Sequence, residues 1–235
     1  MRVLVVGGSG FLGGAVCRVA AEAGHSVTAT YARHDVSSST SSVMWRRLDL
    51  ADHADSVRTV LRSVAPEAVV NCAYVPGGPH LGAVTRDAPG LLAAAVAEVG
   101  ARFVHVSTDV VFDGRLPAGE AYAEDDEPAP VHEYGRAKLG AEWLVGAHHP
   151  QAAVVRTSLL LPGAPAAAVI AALTGGVAGG AGPNEPMTFY TDELRAPCRA
   201  ADLAGFLLWL AVAAESEAGE TARAGKIRKL HKAFL

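Results

Sequence analysis

Cysteine is scarce in this sequence. Cys17, Cys72 and Cys198 are the three among 235 residues, and none stands in a CxxC spacing. An odd count without paired spacing argues against a disulfide framework and fits a reducing compartment. The three read as small core residues. Long uninterrupted apolar runs are missing as well. FLLWLAVAA (206–214) is too short to span a bilayer. The run that opens the chain is broken by glycines and has no cleavage-like end, so it does not read as a signal peptide. No basic block stands out. Twenty Lys and Arg face 24 Asp and Glu, for a net charge of −4, which argues against nucleic acid as a partner. Neither H-x-H nor HExxH occurs, so no metal site is expected. These absences leave a soluble, cytoplasmic protein with no membrane partner as the expectation.

What the chain does have is apolar residues, at 50% of the total. They are arranged as short Val-rich runs alternating with Ala-rich helical stretches. Strands are expected at 2–6, 25–31, 43–50, 66–74, 101–108 and 152–161, with helices between them. Continuous apolar strands separated by helices imply a parallel sheet covered on both faces. The fold class is therefore α/β, a Rossmann-type doubly wound sheet. A natural division places that domain at 1–161 and a small C-terminal lobe at 162–235, packed back onto the first. In the second part a helix is expected over APAAAVIAAL, a Gly-rich loop over 174–186, and a final helix from Asp202.

Directly after the first strand comes GGSGFLG (7–13). Gly7 permits a tight turn, Gly10 lets backbone approach a pyrophosphate, and Gly13 lets helix and strand pack closely. Helix N–H groups at Phe11, Leu12 and Gly13 would then face phosphate. A glycine triplet alone also serves structural turns, but between strand one and helix one it points to a dinucleotide. The second strand ends in TYARH, with Arg33 where an acid would favour NAD. An Arg suits a 2′-phosphate, so NADP is expected ahead of NAD. Arg46 and Arg47 are placed to stand nearby. Asp49 and Leu50, then Asn71, Cys72, Ala73 and Tyr74, end the next strands and are expected to line the cofactor trough.

The fifth strand runs into STD, putting Ser107, Thr108 and Asp109 at the carboxyl end of a central strand, where α/β ligands bind. Thr108 lies 26 residues before Tyr134, and Lys138 lies one helical turn beyond Tyr134. Thr108 would hold a substrate carbonyl and Tyr134 would protonate it, while Lys138 would lower the phenol's pKa and bind the nicotinamide ribose. Taken alone, YxxxK also reads as an amphipathic Tyr beside a solvated Lys. In company with the glycine turn and STD, the chemical reading leads.

GGSGFLG, NCAY, HVSTDVVFDG, AYAEDDEPAPVHEYGRAKLGAE, RTSLLL and DELRAPCRAADLA follow one another over residues 1 to about 210. In this the chain resembles the extended short-chain dehydrogenase/reductase superfamily, and within it the dTDP-4-dehydrorhamnose reductase (RmlD-like) branch. The resemblance implies NAD(P)H-dependent reduction of a 4-keto nucleotide-linked deoxysugar, with Thr108, Tyr134 and Lys138 as the catalytic set. It also implies Ser107 near the cofactor, and Asp109, Val111, Arg156, Ser158 and Arg195 on the substrate side. Three departures bear on this. Thr85 stands in VTRDAP where many relatives carry Asn. RTSLLL lacks an aromatic that some reductases carry. The substrate lobe looks short. Thr85 and the short lobe favour an alternative from the same branch, a cofactor-binding, non-catalytic regulatory subunit like the β subunit of methionine adenosyltransferase. A nucleotide-sugar epimerase or dehydratase is a further alternative. The Ala-rich helices at 88–99 and 133–146 would either pair two copies as a homodimer or simply cover the sheet. The acidic run 124–127 and the basic tail residues Lys226, Arg228, Lys229 and Lys232 read as solvated segments.

Overall fold

A computed structural model describes residues 1–33, 42–51, 54–117, 119–162, 195–213 and 228–229. The expected helix over APAAAVIAAL and the Gly-rich loop at 174–186 lie outside the described residues. Six parallel strands form the body of the sheet: β1 (Arg2–Val6), β2 (Ser26–Tyr31), β3 (Val43–Arg47), β4 (Ala68–Asn71), β5 (Arg102–Thr108) and β6 (Ala153–Thr157). Their spatial order is β3-β2-β1-β4-β5-β6, the Rossmann order. A two-residue strand, Arg228–Lys229, extends the sheet beside β6. The apolar runs became strands because both faces are covered. Val3, Val5, Val70 and Val104 pack on α1 (Phe11–Glu22) and on the last helix, Ala200–Val212. Leu4, Val6, Val69 and Phe103 pack on α2 (Ala54–Val64), α3 (Ala88–Glu98) and α4 (Glu133–His148). The Ala-rich side of α3 is spent on the sheet, with Ala88, Ala93 and Ala95 buried. The last helix, named α5 here, thus belongs to the layer that also holds α1.

One expected strand divides in two. The run 152–161 forms β6 only as far as Thr157, whose register partner is Thr108, the last residue of β5. Beyond that pair β5 offers no ladder, because the chain turns into a 3-10 turn at Asp109–Val111. Leu160–Leu161 (β7) instead pairs with Cys198–Arg199 (β8), just before α5. Strands three and four also end earlier than expected, at Arg47 and Asn71. A π-helical turn, Leu81–Asp87, precedes α3. Such turns are rare and cluster at functional sites. Thr85, fully buried inside it, accepts a hydrogen bond from the Val75 N–H at 2.9 Å and donates its hydroxyl to the Val75 carbonyl at 2.8 Å. The Thr85 hydroxyl is therefore occupied in fixing the loop that follows β4. No helix among the described residues is long and apolar enough to cross a membrane.

Candidate functional site

The glycine turn forms the floor of the cleft. Gly7 takes φ +78°, and a Cβ there would come within 2.8 Å of the Ala73 backbone. A Cβ on Gly13 would stand 2.2 Å from the Gly7 carbonyl oxygen. Neither position admits a side chain. The turn is tied to β2 by the Gly7 N–H, which donates to Thr30 Oγ1 at 3.0 Å. Helix α1 begins at Phe11 with Gly10 as its cap and no side chain capping the first N–H groups. A backbone cradle at a helix start, with its glycines packed tight, fits a pyrophosphate. Phe11 is exposed at the entrance, whereas the Leu12 side chain is in the core, so only backbone is available at that position.

At the end of β2, Arg33 is exposed, and Arg47 Nε donates to the neighbouring Ala32 carbonyl at 3.3 Å. Two guanidinium groups therefore flank the point where an adenosine ribose would end. Asp49 closes a turn by accepting from the Ala51 N–H, and the Leu50 side chain is core, so Leu50 is corrected as a side-chain contact. Asn71 is also fully buried. Its Oδ1 accepts from the Ala73 N–H and its Nδ2 lies 3.0 Å from His105 Nδ1, which orders the strand end instead of lining the trough. His105 is held neutral, well below the usual histidine range, by burial and by the nearby Lys138. Cys72 and Ala73 follow on the cleft side of β1, and burial pushes the Cys72 thiol up to about 12, so it is a packing thiol.

Tyr134 stands at the first turn of α4, half-buried, with its ring centroid 5.8 Å from that of Tyr74. Tyr74 is exposed and rides on the loop that Thr85 fixes. On the opposite side lies the Thr108–Val111 turn. Thr108 Oγ1 accepts from the Val110 N–H and donates to Asp109 Oδ1, both at 3.3 Å. Arg195 Nη1 grips Asp109 at 2.9 and 3.0 Å, which brings the segment before β8 over the site. A Cβ on Gly135 would stand 2.2 Å from the Val110 carbonyl oxygen. Gly135 is therefore what lets α4 lie close to the Thr108 turn. A glycine inside a helix costs about 1 kcal/mol against alanine, and that cost was the available sequence signal for a close approach.

The electrostatics of the pair differ from expectation. Lys138 does not lower the Tyr134 phenol. Its ammonium is buried and donates to the Val106 carbonyl at 2.6 Å. Burial, with the Tyr74 phenol and the Asp109 carboxylate nearby, pushes the Tyr134 pKa up instead. Tyr134 thus stays protonated across the neutral range and is set to give a proton. Burial pulls Lys138 down to about 8, against an opposing pull from Glu142 and Cys72. The consequence for stability has a definite sign. Between about 8 and the unfolded value of 10.5, the unfolded chain keeps a proton that the folded chain has released, so stability rises with pH across that window. Below pH 8 the full cost of burying the ammonium applies. Between pH 7.5 and 10, the urea stability of wild type should gain about 2 kcal/mol relative to Lys138→Met, whose profile lacks this rise.

Three expected contacts are corrected. Ser107 is buried with its hydroxyl on Glu142 Oε1 at 2.5 Å, so its side chain does not enter the cleft. Arg156 is buried too. Its Nε and Nη2 grip Glu142 at 3.0 and 2.7 Å, so it is no substrate ligand. Val111 is fully buried against Phe112 and Leu139. Ser107 and Thr108 are adjacent in a strand and must face opposite sides. Phe103, His105 and Ser107 share the side turned to α3 and α4, and alternation along the sequence was a signal for this. Ser158 Oγ is buried without a hydrogen-bond partner among the described residues. Glu142 was missed altogether, although it stands one turn beyond Lys138. Among the described residues no group of three or more His, Cys, Asp and Glu side chains is arranged to hold a metal ion.

The RmlD substrate binding domain family matches residues 1–225 of this chain. The chain belongs to that family. A dTDP-4-dehydrorhamnose reductase of Mycobacterium tuberculosis H37Rv is 35% identical over 219 residues, covering 89% of this chain and 66% of that reductase. The chain thus spans just under two thirds of that relative's length. Methionine adenosyltransferase 2 subunit beta of Pongo abelii is 33% identical over 167 residues, 68% of this chain and 47% of that subunit. Among solved structures, the dTDP-4-dehydrorhamnose reductase of Bacillus anthracis in complex with NADP shares the fold, with a TM-score of 0.64 at 23% identity, covering 89% of this chain and 70% of that one. In this RmlD-family chain the motifs follow one another as glycine turn, STD turn and then the Tyr–Lys helix.

Proposed function

We propose that this chain is an NADPH-dependent reductase of a keto group on a nucleotide-linked deoxysugar. The observation that carries the reading is the meeting of the Thr108 turn and the Tyr134 helix, allowed by Gly135, at the carboxyl edge of a sheet whose first turn is a phosphate cradle. Gly7, Gly10 and Gly13 would hold the pyrophosphate, Arg33 and Arg47 the 2′-phosphate, and Lys138 the ribose near the reacting end. The reduced nicotinamide supplies hydride when bound. Thr108 Oγ1 orients the carbonyl oxygen of the substrate. Tyr134, kept protonated by its surroundings, transfers its phenolic proton to that oxygen. Asp109 and Arg195, ion-paired with each other, are polar groups that would face a sugar. Similarity to the reductase of M. tuberculosis supports the substrate class.

The test is NADPH oxidation with a panel of 4-keto nucleotide sugars. Turnover of one of them is the expected result. NADPH binding without turnover of any would favour the second reading, a non-catalytic cofactor-binding subunit, for which the similarity to the methionine adenosyltransferase subunit speaks. Cofactor choice is tested separately. Arg33→Ala should weaken NADPH about tenfold or more, the worth of one charge-assisted hydrogen bond, and leave NADH almost unchanged. Equal weakening of both in fluorescence titrations would remove the case for the 2′-phosphate.

A further inference from the structure

Glu142 plays no part in the chemistry above, yet its side chain is wholly buried, at 0% exposure. Its carboxylate accepts from Ser107 Oγ at 2.5 Å, from Arg156 Nε at 3.0 and 3.2 Å, and from Arg156 Nη2 at 2.7 Å. The Arg156 guanidinium lies over the Phe112 ring, 4.9 Å from its centroid. Arg156 Nη1 is buried with no hydrogen-bond partner among the described residues. As a stabilising device this is poor. A buried ion pair gains little over apolar side chains of the same volume, and an unpartnered buried donor is a net cost.

The location of the cluster gives it another use. Ser107 immediately precedes Thr108 on β5. Arg156 is the register partner of Ser107 on β6. Glu142 lies one turn from Lys138 and two turns from Tyr134 on α4. Phe112 follows the turn that carries Asp109 and Val111. The elements that carry Thr108, Tyr134 and Lys138, namely β5 and α4, are therefore joined to each other and to β6 at this one carboxylate.

We propose that Glu142 is a positioning residue, whose carboxylate, held by Arg156 and Ser107, locks α4 onto the end of β5 so that Tyr134 and Lys138 meet Thr108 in a single geometry. The inference rests on the reductase reading for its effect on turnover, but not for its effect on Lys138. The charged and titratable groups around the Lys138 ammonium are Glu142 on its own helix, Cys72 after β4 and His105 on β5, with Arg156 on β6 behind Glu142. Cys72 and His105 are neutral at pH 7, so the Glu142–Arg156 pair is the nearest source of fixed field.

The experiment uses the double variant E142Q/R156Q, in which the first change is isosteric, the second leaves a shorter amide in place of the guanidinium, and both charges of the pair are removed. Three quantities are read: the urea midpoint, the pH midpoint of NADPH affinity by fluorescence titration, and kcat and KM on the keto nucleotide sugar that wild type turns over. The expected result is a urea midpoint near wild type, an affinity midpoint shifted to lower pH by about one unit, and kcat lowered about tenfold to a hundredfold with KM little changed. A well-folded double variant with the wild-type pH midpoint and kcat would overturn the proposal and leave the pair a packing feature. Arg156→Lys covers the case in which the double variant does not fold. It keeps the charge but not the fork, so kcat should fall while the pH midpoint holds, and an unchanged kcat would overturn the proposal. If wild type reduces none of the sugars while the pH midpoint still moves, the link from Glu142 to Lys138 stands and the reductase reading fails.

Discussion

Replacing Tyr134 by Phe is expected to lower kcat for keto reduction by about 10²–10⁴-fold, the range for loss of a general acid, with NADPH affinity within about twofold of wild type. The substitution removes one oxygen. The ring remains against Tyr74, 5.8 Å between centroids, so the wall of the cleft keeps its shape. The loss should therefore fall on kcat, because the proton is needed only as charge develops on the carbonyl oxygen. The pH profile gives a second check. Burial and the neighbouring Asp109 push the Tyr134 pKa up, so the phenol itself should impose no alkaline limb through the neutral range. A limb near pH 8 would report Lys138, which sits at about 8. Steady-state kinetics of wild type and Tyr134→Phe from pH 6 to 9.5 decide this. A variant with kcat within threefold of wild type would remove Tyr134 from the chemistry.

Glu142→Ala should be the most destabilising single change near the site, at about 3–5 kcal/mol, the cost of leaving a buried charge uncompensated. The Arg156 guanidinium, 3% exposed, would lose the partner of both its Nε and its Nη2, and Ser107 would lose its acceptor. For a chain of this size the melting temperature should fall by roughly 10 °C or more. The sign of the companion experiment is opposite. Glu142→Leu combined with Arg156→Met replaces both charges by apolar groups of similar volume and should recover most of the loss. Urea midpoints of the two variants measure the difference. If Glu142→Ala costs less than about 1 kcal/mol, the ion pair is not carrying the junction between α4 and β6.

Much of the site was legible because several of its parts are local. The glycine turn announces itself through spacing, since a turn that admits no Cβ at Gly7 or Gly13 can use only glycine. Tyr134 and Lys138 share a helix face by their separation alone. The strands were legible because sheets covered on both sides need continuous apolar runs. Misreadings came where direction depended on register. Arg156 was expected on the substrate side because the family resemblance implied it. Its pairing with Ser107, and the presence of Glu142 across that pair, turn it inward. The strand expected to run to residue 161 ended at Thr157 because its neighbour ended first. The effect of Lys138 on Tyr134 was misjudged for a related reason. Sequence distance places two groups on one face but does not say that the Val106 carbonyl takes the ammonium or that burial outweighs it.

By itself the sequence determined the sheet, the glycine cradle, the Tyr–Lys helix and the family's order of motifs, all features set by local spacing and apolar periodicity. Tertiary structure decided which side chains at the strand ends face the cleft and which serve the scaffold. It also set the direction in which Tyr134 and Lys138 are shifted. Those outcomes depend on contacts between residues 14 to 86 positions apart and on how much water each group loses. Neither quantity is a property of any short stretch of chain.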